Sequence, residues 1–493
     1  MADHFSGPQA CDDGAFIEVR FRDLVPDSHP IRFIDEFIES IDVSTFSSRY
    51  CVGSGQKGRA PKDIRLMLKV ILYAVYVRLY SARRIDYASA HYADFWFVTH
   101  GMRISHDKIS DFIVMHGEEI HSVFLETIGL ASRNDLLDFS ALYEDGFQIK
   151  ANASIKRSYQ LDGLDKKEQK LSDNLAIVLA KLQQPEEDES AKTERQKVQD
   201  GLSKIASLRE ELQKRIAQRT EGKAPWKAKR ATKNLRINMT DPDAEIMKQK
   251  DGSHAVSYLR ETAVDSRADI IIGSEISGHY NEIQLSLPLA KQANQNCEDA
   301  GCSKTYTTIV ADSGFISMEN CEAFEQAQLV LIGPTQALEH QNREPSPDRI
   351  TFSYNESDNM VTCSEGQNLY CQYPSSEKGA FSRFSNQQAC KQCARVRDCT
   401  NSIRGYRTVK LNSHYRVQQR TLKRYLSKEG QLLYGKRSHS GETYQGDLKN
   451  NGRFIRFLRR GIKKAKVDAQ LQDIVWNLRR IINLKGPGII WGT

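Results

Sequence analysis

Apolar positions recur along this chain at two different periods, and the changes of period divide it. Over about residues 15–135 the spacing is helical. Ile31, Phe33, Ile34, Phe37 and Ile38 fall on one helix face, and the apolar run over 64–80 predicts a second, more buried helix. After a turn containing Gly101, Ser105 is placed to cap a short helix beginning at His106. Arg59, Lys62, Arg65, Arg83, Arg84 and Lys108 decorate these helices, which suits either a helix-turn-helix-like DNA reader or a plain helical bundle.

Near Leu137 the pattern changes. Residues 141–149 read as strand, tight turn and strand, with Asp145-Gly146 at or near the bend, because Asp-Gly is a favoured hairpin turn. Helical spacing returns over 161–182 and 198–216, where Val198, Leu202, Ile205, Leu208, Leu212 and Ile216 form one stripe. With a loop at 184–188 between them, these segments predict a helical hairpin packed on itself or on a second subunit. Strand-like runs follow at 254–257, 269–272, 307–310 and 329–332. The third leads into Ala311-Asp312-Ser313-Gly314-Phe315, after which Ser317 caps a helix over 318–327. A buried strand delivering an Asp at its C-terminal end, before a turn and helix, is a common construction of α/β active sites. Residues 340–405 read as loop-rich and cysteine-bearing, and Val467, Leu471, Ile474, Val475, Leu478 and Ile482 give a final helical core stripe.

Composition sharpens this outline. A chain of 493 residues with 39% hydrophobic and 27% charged residues builds two or three soluble domains. The 70 Lys+Arg against 63 Asp+Glu leave a formal charge of +7, concentrated in residues 223–233 and 404–466. Clustered positive charge suits a polyanion such as nucleic acid; a solvated basic surface is the plain alternative. The apolar stretch over 66–79 is interrupted by Lys69 and Arg78 and is too short to cross a bilayer, so no membrane partner is expected. Residues 1–13 are polar and acidic, without a secretory signal, and ten cysteines in that setting argue against a disulfide framework. The expected location is cytoplasmic, nucleoid-associated when bound to DNA. No Gly-rich phosphate loop is present, so no nucleotide cofactor is expected.

The candidate chemistry lies in three acids. Asp145, Asp312 and Glu442 would come from two strands and a helix, and Glu442 shares a helical stretch with Tyr434, Arg437 and Lys449. Phosphodiester cleavage needs little covalent chemistry from the protein: two divalent cations about 3.5–4 Å apart activate the nucleophile and stabilise the leaving oxygen. Hard cations such as Mg²⁺ or Mn²⁺ take carboxylate oxygens. Glu144 is a rival to Asp145, but neighbours on a strand face opposite sides. His439 lies near Glu442 and reads as a surface histidine. A second candidate is Cys390-x-x-Cys393 with Cys399 and, upstream, Cys363 or Cys371, which would supply four thiolates to a structural Zn²⁺; free thiols are the alternative.

Asp145-Gly146 with Ile149-Lys150-Ala151-Asn152-Ala153-Ser154 resembles the first catalytic segment of bacterial insertion-sequence DDE transposases. Val310-Ala311-Asp312-Ser313-Gly314-Phe315 resembles the second, and Glu442 with Lys449 and the run from Arg453 to Gly461 the third. Asn238-Met239-Thr240-Asp241-Pro242-Asp243-Ala244, Asp23-Leu24-Val25-Pro26 and Gly58-Arg59-Ala60-Pro61 are similar to further phrases of that family. The resemblance implies an α/β fold: a ribonuclease-H-like catalytic core with a helical insertion, preceded by an all-α DNA-binding domain. The implied division is a helical DNA-binding domain at 1–135, core at 136–159, helical hairpin at 160–235, core at 236–339, cysteine-bearing insertion at 340–405, and the C-terminal helical part of the core at 406–493. It also implies metal-dependent strand cleavage and strand transfer on terminal inverted repeats. Asp145, Asp312 and Glu442 would hold Mg²⁺ or Mn²⁺, while Tyr434, Arg437, Lys449, Arg453 and Arg456 would contact DNA. The partners implied are double-stranded DNA, both element ends and target, and further copies of the chain. The chain departs from the family pattern in the Arg437–Glu442 spacing, at Phe147-Gln148, and after Asp251-Gly252. A catalytically inactive DNA-binding repressor or inhibitor is therefore the rival reading.

Overall fold

The computed structural model describes residues 20–47, 63–182, 189–278, 285–335, 350–355, 357–373, 381–412, 415–440, 442–451 and 454–486. The Gly58–Pro61 phrase, Lys62, Arg453 and the loop expected at 184–188 lie outside them. The chain divides into two compact units, Met1–Phe124 with Ile474–Thr493, and Leu125–Asp473. No helix among the described residues is long and apolar enough to cross a membrane.

The first unit is helical because its apolar residues repeat at helical spacing, and two of its helices start at side-chain caps. Helix Pro30–Ser40 buries Ile31, Phe33, Ile34, Phe37 and Ile38, with Pro30 at its first turn and His29 Nδ1 accepting from Ile31 N. Asp63 caps helix Ile64–Tyr76 by accepting from Leu66 N at 2.8 Å. Arg65 donates to the carbonyls of Ile38 and Ile41, satisfying the end of the first helix rather than projecting into solvent. Helix His106–Met115 starts where the sequence places it, after Gly101 at φ +76°, but Ser105 makes no side-chain cap. Asp86 of helix Ala82–His91 serves instead, accepting from His106 N at 3.1 Å and from Arg103 Nε at 2.6 Å.

The second unit is organised around one strand. Residues 141–149 do not form the expected hairpin. Strand β1 (Leu142–Lys150) runs through Asp145-Gly146 without a bend. The favoured two-residue hairpin turn needs positive φ, and Gly146 is not among the positive-φ glycines. Pairing with a distant strand outweighs the local turn signal. After β1 the chain forms β2 (Ser158–Tyr159), a helical hairpin of Leu161–Leu182 and Glu189–Thr220, and β3 (Ile237–Asn238), which pairs with β2. The predicted stripe packs inside this insertion: Ile205, Leu208 and Leu212 are buried with Leu164, Leu235 and Ile237.

Strands β4 (Glu245–Lys248), β5 (His254–Asp265), β6 (Ile271–Ser277), β7 (Thr308–Val310) and β8 (Val330–Ile332) complete a six-stranded mixed sheet. Its order is β4-β5-β1-β7-β8, with β6 also paired to β5. β1 is antiparallel to β5 from Leu142↔Asp265 to Lys150↔Ser257 and parallel to β7, and β7 is parallel to β8. β5 is longer than the segment predicted at 254–257, and its last ten residues are all buried.

Among its described residues, the cysteine-bearing segment is not loop-rich. It forms a second sheet of β9 (Phe352–Asn355), β10 (Met360–Cys363), β11 (Asn368–Tyr373), β12 (Phe381–Ser385) and β13 (Thr408–Asn412), antiparallel and paired in chain order. Short helices Gln387–Gln392 and Val396–Cys399 sit between β12 and β13. The C-terminal part is helical, ending in helix Ile462–Lys485.

Candidate active site

The parallel register of β1 and β7 sets the first half of the site. Tyr143 pairs with Val310, and two residues beyond that pair on each side stand Asp145 and Asp312. Side chains two apart on a strand share a face, so the two carboxylates are presented together. Asp145 is mid-strand and only 8% exposed, whereas the Asp312 side chain, just past the end of β7, is 39% exposed. Asp312 Oδ1 accepts from Gly314 N at 2.8 Å, and its carbonyl accepts from Phe315 N at 3.1 Å, which closes the turn. Ser317 then caps helix Met318–Gln326, as predicted, accepting from Asn320 N at 3.1 Å.

Arg437 joins the two carboxylates. Its Nη2 donates to Asp145 Oδ1 at 3.0 Å and lies 3.6 Å from Asp312 Oδ2. The arginine reaches them because helix Lys428–Ser440 rests on the sheet: Leu433 and Tyr434 pack on Ala141, Tyr143, Val310 and Ile332, and Tyr143 Oη donates to Leu433 O at 3.1 Å. Tyr434 is half-buried there, edge-on to Tyr425. Lys449, in the π-helical turn Asp447–Asn451, places Nζ 4.6 Å from the centre of the Phe147 ring, two residues along β1 from Asp145. Burial pushes its ammonium below the ordinary lysine range; Lys250 adds to the effect and Asp145 opposes it.

Glu442 begins the short helix Glu442–Gly446, and its side chain lies outside the described residues, as does that of His439. Arg456 is exposed, and its backbone bridges Lys150 at the end of β1. Lys150 N donates to Ile455 O, Phe457 N to Lys150 O, and Asn152 Nδ2 to Leu458 O. The segments that resemble the first and third family motifs are thus laid side by side.

Glu144 faces away from this group. It is fully buried, takes a hydrogen bond from Ser286 Oγ, and burial pushes its carboxyl up to about 8 against the opposing effect of Ser286. A carboxyl held protonated in an apolar setting is a poor cation ligand, so the two neighbours have opposite chemistry.

Sequence reasoning missed the residues that hold the site in place. Arg260 of β5, fully buried, donates to Tyr444 Oη at 2.6 Å and pairs with Asp473. Tyr444 Oη donates to Asp473 Oδ1 at 3.0 Å, and Ser274 Oγ to Asp473 Oδ2 at 2.6 Å. Tyr444 is two residues from Glu442, so this network fixes the helix that carries the third acid. The Asn238–Ala244 phrase has a similar structural use. Asp241 Oδ1 accepts from Gly461 N and Asp243 Oδ2 from Ile462 N, capping the last helix.

Two carboxylates converging on one cationic group form a donor set that suits a hard divalent cation. As the side chains stand, no three His, Cys, Asp or Glu among the described residues form a metal-holding group. Cys363, Cys390, Cys393 and Cys399 lie apart from the acids, in the second sheet and its two short helices.

Two family models match parts of the chain. Residues 362–482 match a family model described as a transposase DDE domain, and residues 19–114 one described as a transposase domain (DUF772). The first span contains Glu442, Arg437, Lys449 and the four cysteines; Asp145 and Asp312 fall outside both spans. No curated protein matches the chain.

Proposed function

We propose that this chain, which belongs to the DDE transposases of insertion sequences, binds the terminal inverted repeats of its element and cuts and joins DNA ends. The observation that carries the reading is the pairing of Asp145 and Asp312 on adjacent parallel strands around one guanidinium. The sheet order, with a helical insertion between β1 and its antiparallel neighbour β5, supports a ribonuclease-H-like core. Asp145, Asp312 and Glu442 would hold divalent cations, Mg²⁺ or Mn²⁺, which when bound activate the attacking oxygen and stabilise the leaving one.

In the reaction, water attacks a phosphodiester at the element end and frees a 3′-hydroxyl. That hydroxyl then attacks a target phosphodiester, forming one ester bond as another breaks. Arg437 and Lys449 neutralise phosphate charge beside the acids; Arg456 adds a further contact to the DNA backbone, as does Arg453 by the family resemblance, and binding weakens with salt. Tyr434 anchors the helix of Arg437 and borders the same DNA path. Joining two ends requires both to be held at once, so the active form is a homo-oligomer on DNA.

The test is cleavage of a labelled duplex carrying the element's own ends, with Mg²⁺, by the wild type and Asp312→Asn. Cleavage by the wild type and none by the variant is expected. Binding without cleavage by either protein would favour the inactive DNA-binding reading.

A further inference from the structure

We propose that the second sheet is a zinc module in which Cys363, Cys390, Cys393 and Cys399 bind one Zn²⁺. The sequence leaves Cys363 and Cys371 as alternatives for the fourth thiolate, and the fold separates them. Cys363, Cys390, Cys393 and Cys399 line a single cavity, and Cys371 is not in its lining. Both cysteines pack on the Val361, Leu369 and Phe384 cluster, so it is the cavity lining that separates them.

The backbone delivers each thiol to the cavity by a turn. Cys363 closes the β10–β11 hairpin, its N donating to Gln367 O at 3.0 Å and its carbonyl accepting from Gly366 N at 2.9 Å. Gly366 has φ +72°, a conformation that favours glycine. Cys390 and Cys393 form the Cys-x-x-Cys turn, with Cys393 N donating to Cys390 O at 3.2 Å, and Cys399 N donates to Arg395 O at 3.0 Å. Two thiols from one turn, one from a hairpin and one from a helix end give the arrangement of a closed tetrathiolate site.

Charge and packing point the same way. Four thiolates around Zn²⁺ leave excess negative charge; Arg407 lines the cavity and donates to Cys399 O at 3.3 Å, while Arg395 is paired there with Glu365. Among the described residues the sheet's own cluster buries Val361, Leu369 and Phe384 fully, with Phe352, Tyr354, Val409 and Leu411 partly buried against them, a small core that a metal staple would strengthen. The sulfurs are not yet gathered as a metal-holding group. Thiolate ligands and a closed site select zinc over the hard cations proposed for the acidic site.

The experiment is elemental analysis of the purified full chain, with no DNA present, so its outcome is independent of the transposition reading. About one zinc per chain is expected. It is lost in Cys363→Ser and Cys393→Ser and kept in Cys371→Ser. Because the first two variants can also fail to fold, the wild type is reloaded with Co²⁺. The visible and near-ultraviolet bands of a tetrahedral thiolate site are expected. Absence of stoichiometric zinc, octahedral Co²⁺ bands, or loss of zinc in Cys371→Ser with retention in Cys363→Ser would each overturn the proposal.

Discussion

The two sheets of the second unit are built in opposite ways. The mixed sheet gathers strands from residues 142–150 to 330–332, and its packing draws in helices from beyond residue 415. It holds a buried ion pair that spans the fold, with Arg260 Nη2 bonding both Tyr444 and Asp473 and Tyr444 also donating to Asp473. The second sheet is a local meander with three buried side chains in its core cluster. A long-range sheet can hold two carboxylates rigidly in place, whereas a local one of this size depends on something added at its cysteine end.

The largest effect should come from breaking the charge network of the first sheet. Arg260→Ala leaves Asp473 buried without its cation, and the expected loss is about 4 kcal/mol of stability, read by urea unfolding. Cleavage should fall with it, because Tyr444 loses a partner that fixes the helix of Glu442. In the second sheet, Phe384→Ala should cost about 3 kcal/mol. Hydrogen exchange should rise across residues 350–412 while β1 stays protected; equal loosening of both sheets would show that they are not separately stabilised.

A smaller effect separates the two faces of β1. The folded chain holds a proton on Glu144 up to about pH 8, where the unfolded chain releases it near the ordinary value of 4.5. Stability from this group is therefore present below that ordinary value and lost as pH rises toward and through 8. Glu144→Gln should flatten this slope, by about 2 kcal/mol between pH 5 and 6.5. An unchanged slope in thermal melts would show that Glu144 is not the titrating group. The smallest effect is expected at Lys449→Ala, which should reduce the salt slope of DNA binding by about 1 with the fold intact.

Much of this comparison was legible in the sequence. The Asp312 strand, turn and capped helix follow from local signals, and the insertion stripe follows from its period. The fold around Asp145 was not, because Asp-Gly is a local turn signal and its pairing partner lies more than a hundred residues away on β5. The second sheet was hidden because its strands are short and half-exposed, with Tyr370, Tyr373 and Phe381 outward. Arg260 and Asp473 carry no local signature at all. Each reads as a surface charge until the fold places them together.

The central claim is that Asp145 and Asp312 form one cation site. Mn²⁺ titration of the full chain, followed by electron paramagnetic resonance, tests it on the wild type, Asp145→Asn, Asp312→Asn and the double variant. Mn²⁺ prefers oxygen ligands and so reports the acids rather than the thiols. The account predicts that either single substitution abolishes tight binding and that the double variant is no worse than either. Tight binding that survives both single substitutions, or losses that simply add in the double variant, would contradict it.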